Sequence, residues 1–295
     1  SPSRASLLTG IHPHQTGIGI LTGSNAAEGG YAGNLNNRCA TIAEVLKSNG
    51  YITAITGKWH LTNSPNKPNG AWPTDRGFDN FFGTLDGCAT YFRPGTLTRG
   101  LENVESEADN NPDFFYTDAI AHEAAKFIKE RPSDKPYFLY VPFTAPHWPL
   151  HAREETIKSY AGTYDAGWDA IRAKRLERQK SMGIIPKETE LSPRDARVLA
   201  WEEEPEKKWQ ARRMEVYAAM VTEMDTAIGK ILDQVEKNNE WDNTIIIFLS
   251  DNGACAEALP LDDISEFRRA KNLISTRTRD GRKVVLGNDP DVMPG

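Results

Sequence analysis

The chain has 295 residues, 39% hydrophobic and 26% charged, with a formal net charge of −6. That length can bury a sizeable core, and the acidic balance gives no ground for nucleic acid or an anionic membrane as the main partner. No apolar run approaches the roughly 20 residues needed to cross a bilayer. Cys39, Cys88 and Cys255 are widely spaced, with no Cys-x-x-Cys pair, which argues against a thiolate zinc site. They read instead as small buried apolar residues.

The chain opens on Ser1-Pro2-Ser3-Arg4, followed by Leu7-Leu8-Thr9-Gly10. Pro near the start and Gly at the end predict a short helix with a glycine stop. Next, His12 and His14 flank Pro13, and both a substrate contact and a loop role are open for them. Thr41 to Lys47 predicts a helix in which Thr41 and Glu44 form a capping box, with Gly50 as the stop. The β-branched run Tyr51–Thr56 predicts a strand ending at Gly57. Gly57-Lys58-Trp59-His60 therefore leaves the carboxyl end of that strand.

The pattern recurs twice. A helix is expected from Thr117 or Asp118 to about Glu130, with apolar residues at helical spacing, and His122 within it reads as structural. Tyr137–Val141 is the following strand, and Ala145-Pro146-His147-Trp148-Pro149 breaks out of it. Residues 152–209 are dense in Lys, Arg and Glu and read as a solvated helical insertion, with His151 at its edge. A long helix spans about Gln210 to Lys237, its apolar positions falling on one side. Thr244–Leu249 is fully apolar and predicts a strand covered on both faces, with Ser250-Asp251-Asn252-Gly253 directly after it. Asp262–Lys283 is highly charged and reads as a surface excursion.

Three helix-then-strand units predict an α/β fold, layered around a mostly parallel sheet. Ligands of such sheets lie at the carboxyl ends of strands, so the three polar segments are expected to converge. Each has a bland alternative. Asp251-Asn252 offers two hard oxygens suited to Ca²⁺ or Mg²⁺, and Asp-Asn-Gly is also a strong turn former. Lys58 can fix an anionic oxygen and His60 can pass a proton, or the two can be a surface Lys beside a capping His. His147, stiffened by its prolines, can donate a proton, or it can stack on Trp148.

Taken together, these segments resemble the sulfatase family. Pro2-Ser3-Arg4 with the downstream Thr9-Gly10 is similar to the signature that follows the family nucleophile, a Cys or Ser whose position falls immediately before Ser1. Gly50–Thr53 through Gly57-Lys58-Trp59-His60-Leu61 resembles the second signature. Ala145-Pro146-His147 and Ser250-Asp251-Asn252-Gly253 resemble the substrate histidine and half of the metal site. The stretches Tyr137–Met182 and Met214–Gly253 resemble the bacterial arylsulfatase branch.

The resemblance implies an alkaline-phosphatase-like sandwich and one catalytic domain spanning 1–295, with the 152–209 insertion and without the family's C-terminal subdomain. It implies a sulfuric ester hydrolase that cleaves a small-molecule or glycan sulfate ester. Its nucleophile would be formylglycine, installed by a formylglycine-generating or anaerobic maturase enzyme. The implied metal is Ca²⁺ ahead of Mg²⁺, held by Asp251 and Asn252. Arg4 would orient the nucleophile, Lys58 would bridge to sulfate, His60 would assist the hydrate, and His147 would bind sulfate and protonate the leaving oxygen. An acidic pair upstream of Ser1 and a lysine beyond Gly287-Asn288-Asp289-Pro290 would complete the site, which makes the chain an internal piece of the family's length. A periplasmic or secreted location is the family expectation. The alternatives are a phosphoester or phosphonate hydrolase of the same superfamily and a non-catalytic binding homologue.

Overall fold

The computed structural model describes residues 1–22, 29–132 and 134–253. Cys255, the 262–283 excursion and the 287–290 segment lie outside them. The described chain falls into two compact units, residues 1–149 with 224–253, and residues 150–223.

In the first unit, α1 spans Pro2–Thr9 and ends on Gly10 in a left-handed conformation, as its glycine stop predicts. A short α2 covers Pro13–Thr16. Helix α3 (Ile42–Ser48) starts at the expected capping box: Thr41 Oγ1 accepts from the Glu44 amide, and a Glu44 carboxylate oxygen accepts from the Thr41 amide. Strand β1 is Ile52–Thr56, β2 Asn80–Thr84, β3 Leu97–Arg99 and β4 Glu102–Asn103. Helices α4 (Glu105–Asp109) and α5 (Tyr116–Glu130) precede β5 (Tyr137–Tyr140).

The five strands form one sheet in the order β4-β3-β2-β1-β5. Strand β1 runs parallel to both β2 and β5, whereas β2–β3 and β3–β4 are antiparallel. The sheet is therefore mixed. Its parallel part is the trio around β1, reached by a long loop from β1 to β2 and by α4 and α5 ahead of β5, and its antiparallel edge is a short meander that needs no crossover. Neighbouring residues on a strand face opposite ways, and the core follows that alternation. Ile55, Phe81, Phe138 and Tyr140 pack with Ala5 and Leu8 of α1 and Ala43 of α3. Phe82 packs with Tyr116 and Ile120 of α5, and Tyr137 and Leu139 pack with Ala124 and Ile128 of α5. Both faces of the sheet are thus covered by helices.

The strand expected at Thr244–Leu249 is not formed. Among the described residues the segment pairs with no strand, and Ile245, Ile247 and Phe248 are largely exposed. β-propensity reports how side chains suit a pleated surface and does not by itself bring the segment to the edge that β5 leaves open among the described residues.

In the second unit, α6 (Glu154–Lys158) and α7 (Gly167–Ser181) are followed by the start of α8 (Lys207–Lys237), whose residues from Met224 onward belong to the first unit. Trp168 and Trp201 meet edge-to-face at 4.7 Å between centroids and form the small core of this unit with Ala211. Gly167, at φ +76°, leaves the space that the Trp201 ring fills. Residues 152–209 contain α6, α7 and the turn at Trp201–Glu203.

Candidate active site

The carboxyl ends of β1, β2 and β5 lie side by side because the three strands are parallel neighbours. The segment leaving β1 continues along its neighbours. Gly57 N donates to Phe82 O at 2.8 Å, Lys58 N to Pro142 O at 2.9 Å, Trp59 N to Thr84 O at 2.8 Å and His60 N to Leu85 O at 3.1 Å. Such close backbone approach demands glycine. A Cβ on Gly57 would fall 2.3 Å from Pro142 O, and one on Gly83 would fall 1.7 Å from Gly57 O. Lys58 is thereby buried at the strand ends, and His60 adopts φ +57°, a left-handed conformation uncommon for a side-chain-bearing residue.

Arg4 closes this segment from α1. Its Nη1 donates to Lys58 O at 2.8 Å and to Trp59 O at 2.9 Å, and its Nη2 reaches Asp251 Oδ2 at 3.5 Å. The guanidinium is almost fully buried, while Asp251 keeps about a third of its side-chain surface. Tyr140, at the end of β5, interacts with both Arg4 and Asp251, and burial raises its phenol pKa.

His147 belongs to the same group. Its Nδ1 lies 2.7 Å from Trp148 O. A carbonyl only accepts, so Nδ1 carries the hydrogen and, in the neutral ring, Nε2 carries the lone pair. Burial, with Lys58 and then Arg4 adding repulsion, lowers its pKa to about 4, partly opposed by the Trp148 hydrogen bond and by Asp251. His60 is held well below its ordinary value, first by burial and then by Lys58, with Arg4 and His147 contributing. Both rings are neutral at pH 7, beside the side chains of Lys58 and Arg4.

Arg4, Lys58, His60, His147 and Asp251 are thus brought together. Asn252 is not tied to them: it is exposed, its side-chain amide donates to Gly253 O at 2.7 Å, and its backbone carbonyl accepts from Ser250 Oγ. Asp251 and Asn252 offer hard oxygen donors, which fits Ca²⁺ or Mg²⁺. Among the described residues no group of three or more His, Cys, Asp or Glu could hold a metal, so these two would supply part of a coordination shell. His12 and His14 stack on each other on an exposed surface, with Tyr31 on the far nitrogen of His14. His122 is exposed on α5, and His151 is buried in the second unit. Cys39 is half-buried and Cys88 is buried.

A sequence model of the Sulfatase family matches residues 1–276. The chain belongs to the sulfatase family. This sulfatase chain is 36% identical over 288 residues to an uncharacterized sulfatase of Schizosaccharomyces pombe, covering 88% of the chain and 51% of that relative. It is 37% identical over 265 residues to an arylsulfatase of Klebsiella aerogenes, covering 86% and 56%. The sulfatase chain therefore spans about half the length of the curated relatives it matches. Among solved structures, the crystal structure of Ps i-CgsB in complex with k-i-k-neocarrahexaose superposes with a TM-score of 0.58 at 25% identity, covering 85% of this chain and 48% of that one. The α/β architecture with its mixed sheet is that of sulfatase structures. No helix among the described residues of the sulfatase chain is long and apolar enough to cross a membrane.

Several residues around the site of this sulfatase went unnoticed in the sequence. Tyr140 looked like ordinary strand content. Tyr91 donates its hydroxyl to His147 O at 2.9 Å, and Tyr116 accepts from Thr84 N at 2.8 Å and donates to Thr84 Oγ1 at 3.2 Å. No local pattern marks them, because their partners are brought in by the sheet from distant positions.

Proposed function

We propose that the whole protein is a sulfuric ester hydrolase of arylsulfatase type, cleaving a sulfate monoester to an alcohol or phenol and sulfate. The observation that carries this reading is the gathering of Arg4, Lys58, His60 and His147 beside Asp251. A site for a sulfate ester needs fixed positive charge where negative charge develops, in surroundings that exclude water.

Lys58, buried at the strand ends, supplies a point charge to a sulfate oxygen. His147 presents Nε2 as its unprotonated nitrogen. An anionic ester beside it offsets the repulsion from Lys58 and Arg4, so the ring gains a proton as substrate binds and can pass it to the leaving oxygen. His60, neutral and held by its backbone bond to Leu85 O, can accept a proton from the attacking group. Arg4 holds the Lys58–His60 segment in place and keeps Asp251 near the site. A formylglycine at the position before Ser1 would supply the attacking hydroxyl. A Ca²⁺ held partly by Asp251 and Asn252 would act as a Lewis acid toward a sulfate oxygen.

The substrate is proposed to be a small-molecule or glycan sulfate ester. The glycan class is supported by the oligosaccharide bound in the Ps i-CgsB structure. The test is a parallel assay of the full-length protein on nitrophenyl sulfate and nitrophenyl phosphate, with mass spectrometry of the peptide containing Ser1. Sulfate turnover is expected to exceed phosphate turnover, with formylglycine before Ser1. Faster phosphate turnover would favour a phosphoester hydrolase, and an unmodified Ala or Gly there a binding protein.

A further inference from the structure

The loop leaving β2 runs past both histidines. His60 is clipped to its start through the bond from His60 N to Leu85 O. Two residues on, Gly87 packs against the His60 ring. A Cβ there would lie 2.1 Å from Cε1, 2.3 Å from Nε2 and 2.6 Å from Nδ1 of His60, so the imidazole occupies the volume a side chain would need. Gly87 does not fall in the left-handed region, and its backbone places no demand for glycine. What requires glycine is the ring.

Further along, Tyr91 is buried and donates its hydroxyl to the carbonyl of His147. Its own place is fixed from behind. The Tyr91 ring stacks on Phe115 at 6.0 Å between centroids, and its carbonyl accepts from Tyr116 N at 2.7 Å at the start of α5. Burial keeps the phenol protonated, so it stays a donor. The loop closes on Asp86 N donating to Thr96 Oγ1 at 3.2 Å, which holds its two ends together.

We infer that the loop after β2 sets the positions of both histidines of the site, Gly87 by leaving the space that the His60 imidazole fills and Tyr91 by hydrogen-bonding the His147 carbonyl. Gly87 and Tyr91 are positioning residues: neither carries chemistry, and each acts through the histidine it touches. This inference rests on the sulfatase reading for its catalytic consequence but not for its structural one. Displacing a reacting group by about 1 Å can cost on the order of 100-fold in rate.

The experiment compares Gly87→Ala and Tyr91→Phe in the full-length protein with wild type, His60→Ala and the double variant Gly87→Ala/His60→Ala. Gly87→Ala is expected to lower kcat by roughly 10- to 100-fold with KM changed less than about 3-fold, since orientation rather than binding is lost. It is also expected to shift the imidazole NMR resonances of His60 and leave those of exposed His122 in place. In the His60→Ala background the added methyl has room, so Gly87→Ala should cost nothing further in kcat and should restore any melting temperature lost by the single variant. Tyr91→Phe should move the His147 resonances and lower kcat by roughly 10-fold. Unmoved His60 and His147 resonances would overturn the inference, as would an equal loss from Gly87→Ala with and without His60. If the wild-type protein turned over no sulfate ester while the resonances moved as expected, the functional reading would fail and the positioning would stand.

Discussion

At Arg4 a single guanidinium satisfies two buried backbone carbonyls and faces a carboxylate. Replacing it with Ala leaves those carbonyls without donors in a place water does not reach, at a cost of roughly 2–4 kcal/mol. Arg4→Lys keeps the charge and loses the fork, so it is expected to recover less than half of that stability. Urea denaturation of the three proteins checks both expectations. The same residue shows how site chemistry can be legible while geometry is not. Pro2-Ser3-Arg4 singled out Arg4, and its guanidinium lies against the carbonyls of Lys58 and Trp59 and the carboxylate of Asp251. Its bonds to the carbonyls of Lys58 and Trp59 join positions more than fifty residues apart, and no spacing in the sequence announces them. Gly87 was equally silent, because a glycine required by someone else's side chain looks like any loop glycine.

Among the elements, the junction of β1 and β2 depends on glycine most strongly. A methyl on Gly83 would meet Gly57 O at 1.7 Å, and neither backbone can retreat without breaking the pairing of Thr56 with Phe82. Gly83→Ala is expected to cost about 3 kcal/mol or more and to lower the melting temperature sharply. Gly229→Ala is the control: that position in α8 is open and unstrained, and the substitution should stabilise by about 0.5–1 kcal/mol. Thermal melts followed by circular dichroism distinguish the two.

Elements with strong local signals were readable. The capping box of α3, the helix at Tyr116–Glu130 and the strands at 52–56 and 137–140 all formed near their expected bounds. The β3–β4 meander was not foreseen, since strands of three and two residues carry too short a pattern to separate from a loop. The Thr244–Leu249 run failed for the opposite reason. Its pattern is strong, but hydrophobicity alone does not provide an edge to pair with.

For the whole molecule, the buried histidines couple stability to pH. Burial lowers His151 to about 4 from an ordinary 6.5, and His147 is lowered to the same range, first by burial. Between those values the unfolded chain binds protons that the folded chain does not. Their contribution is therefore fully present above pH 6.5 and is lost as pH falls toward 4. Each can account for up to about 3 kcal/mol across that window. His151→Gln should flatten the dependence relative to wild type, as read from urea midpoints at pH 7 and pH 4.5. An unchanged slope would mean that His151 does not carry the dependence, since Asp79, whose pKa is lowered from 3.8, loses its contribution only below this window.

The Arg4 clamp has a consequence for motion. Helix α1, the turn after β1 and the Asp251 segment come from opposite ends of the sequence, yet they meet on one side chain. Neither the turn nor the Asp251 segment can move far from α1 without losing its contact with Arg4. Removing that one guanidinium would therefore release contacts on three separate segments at once.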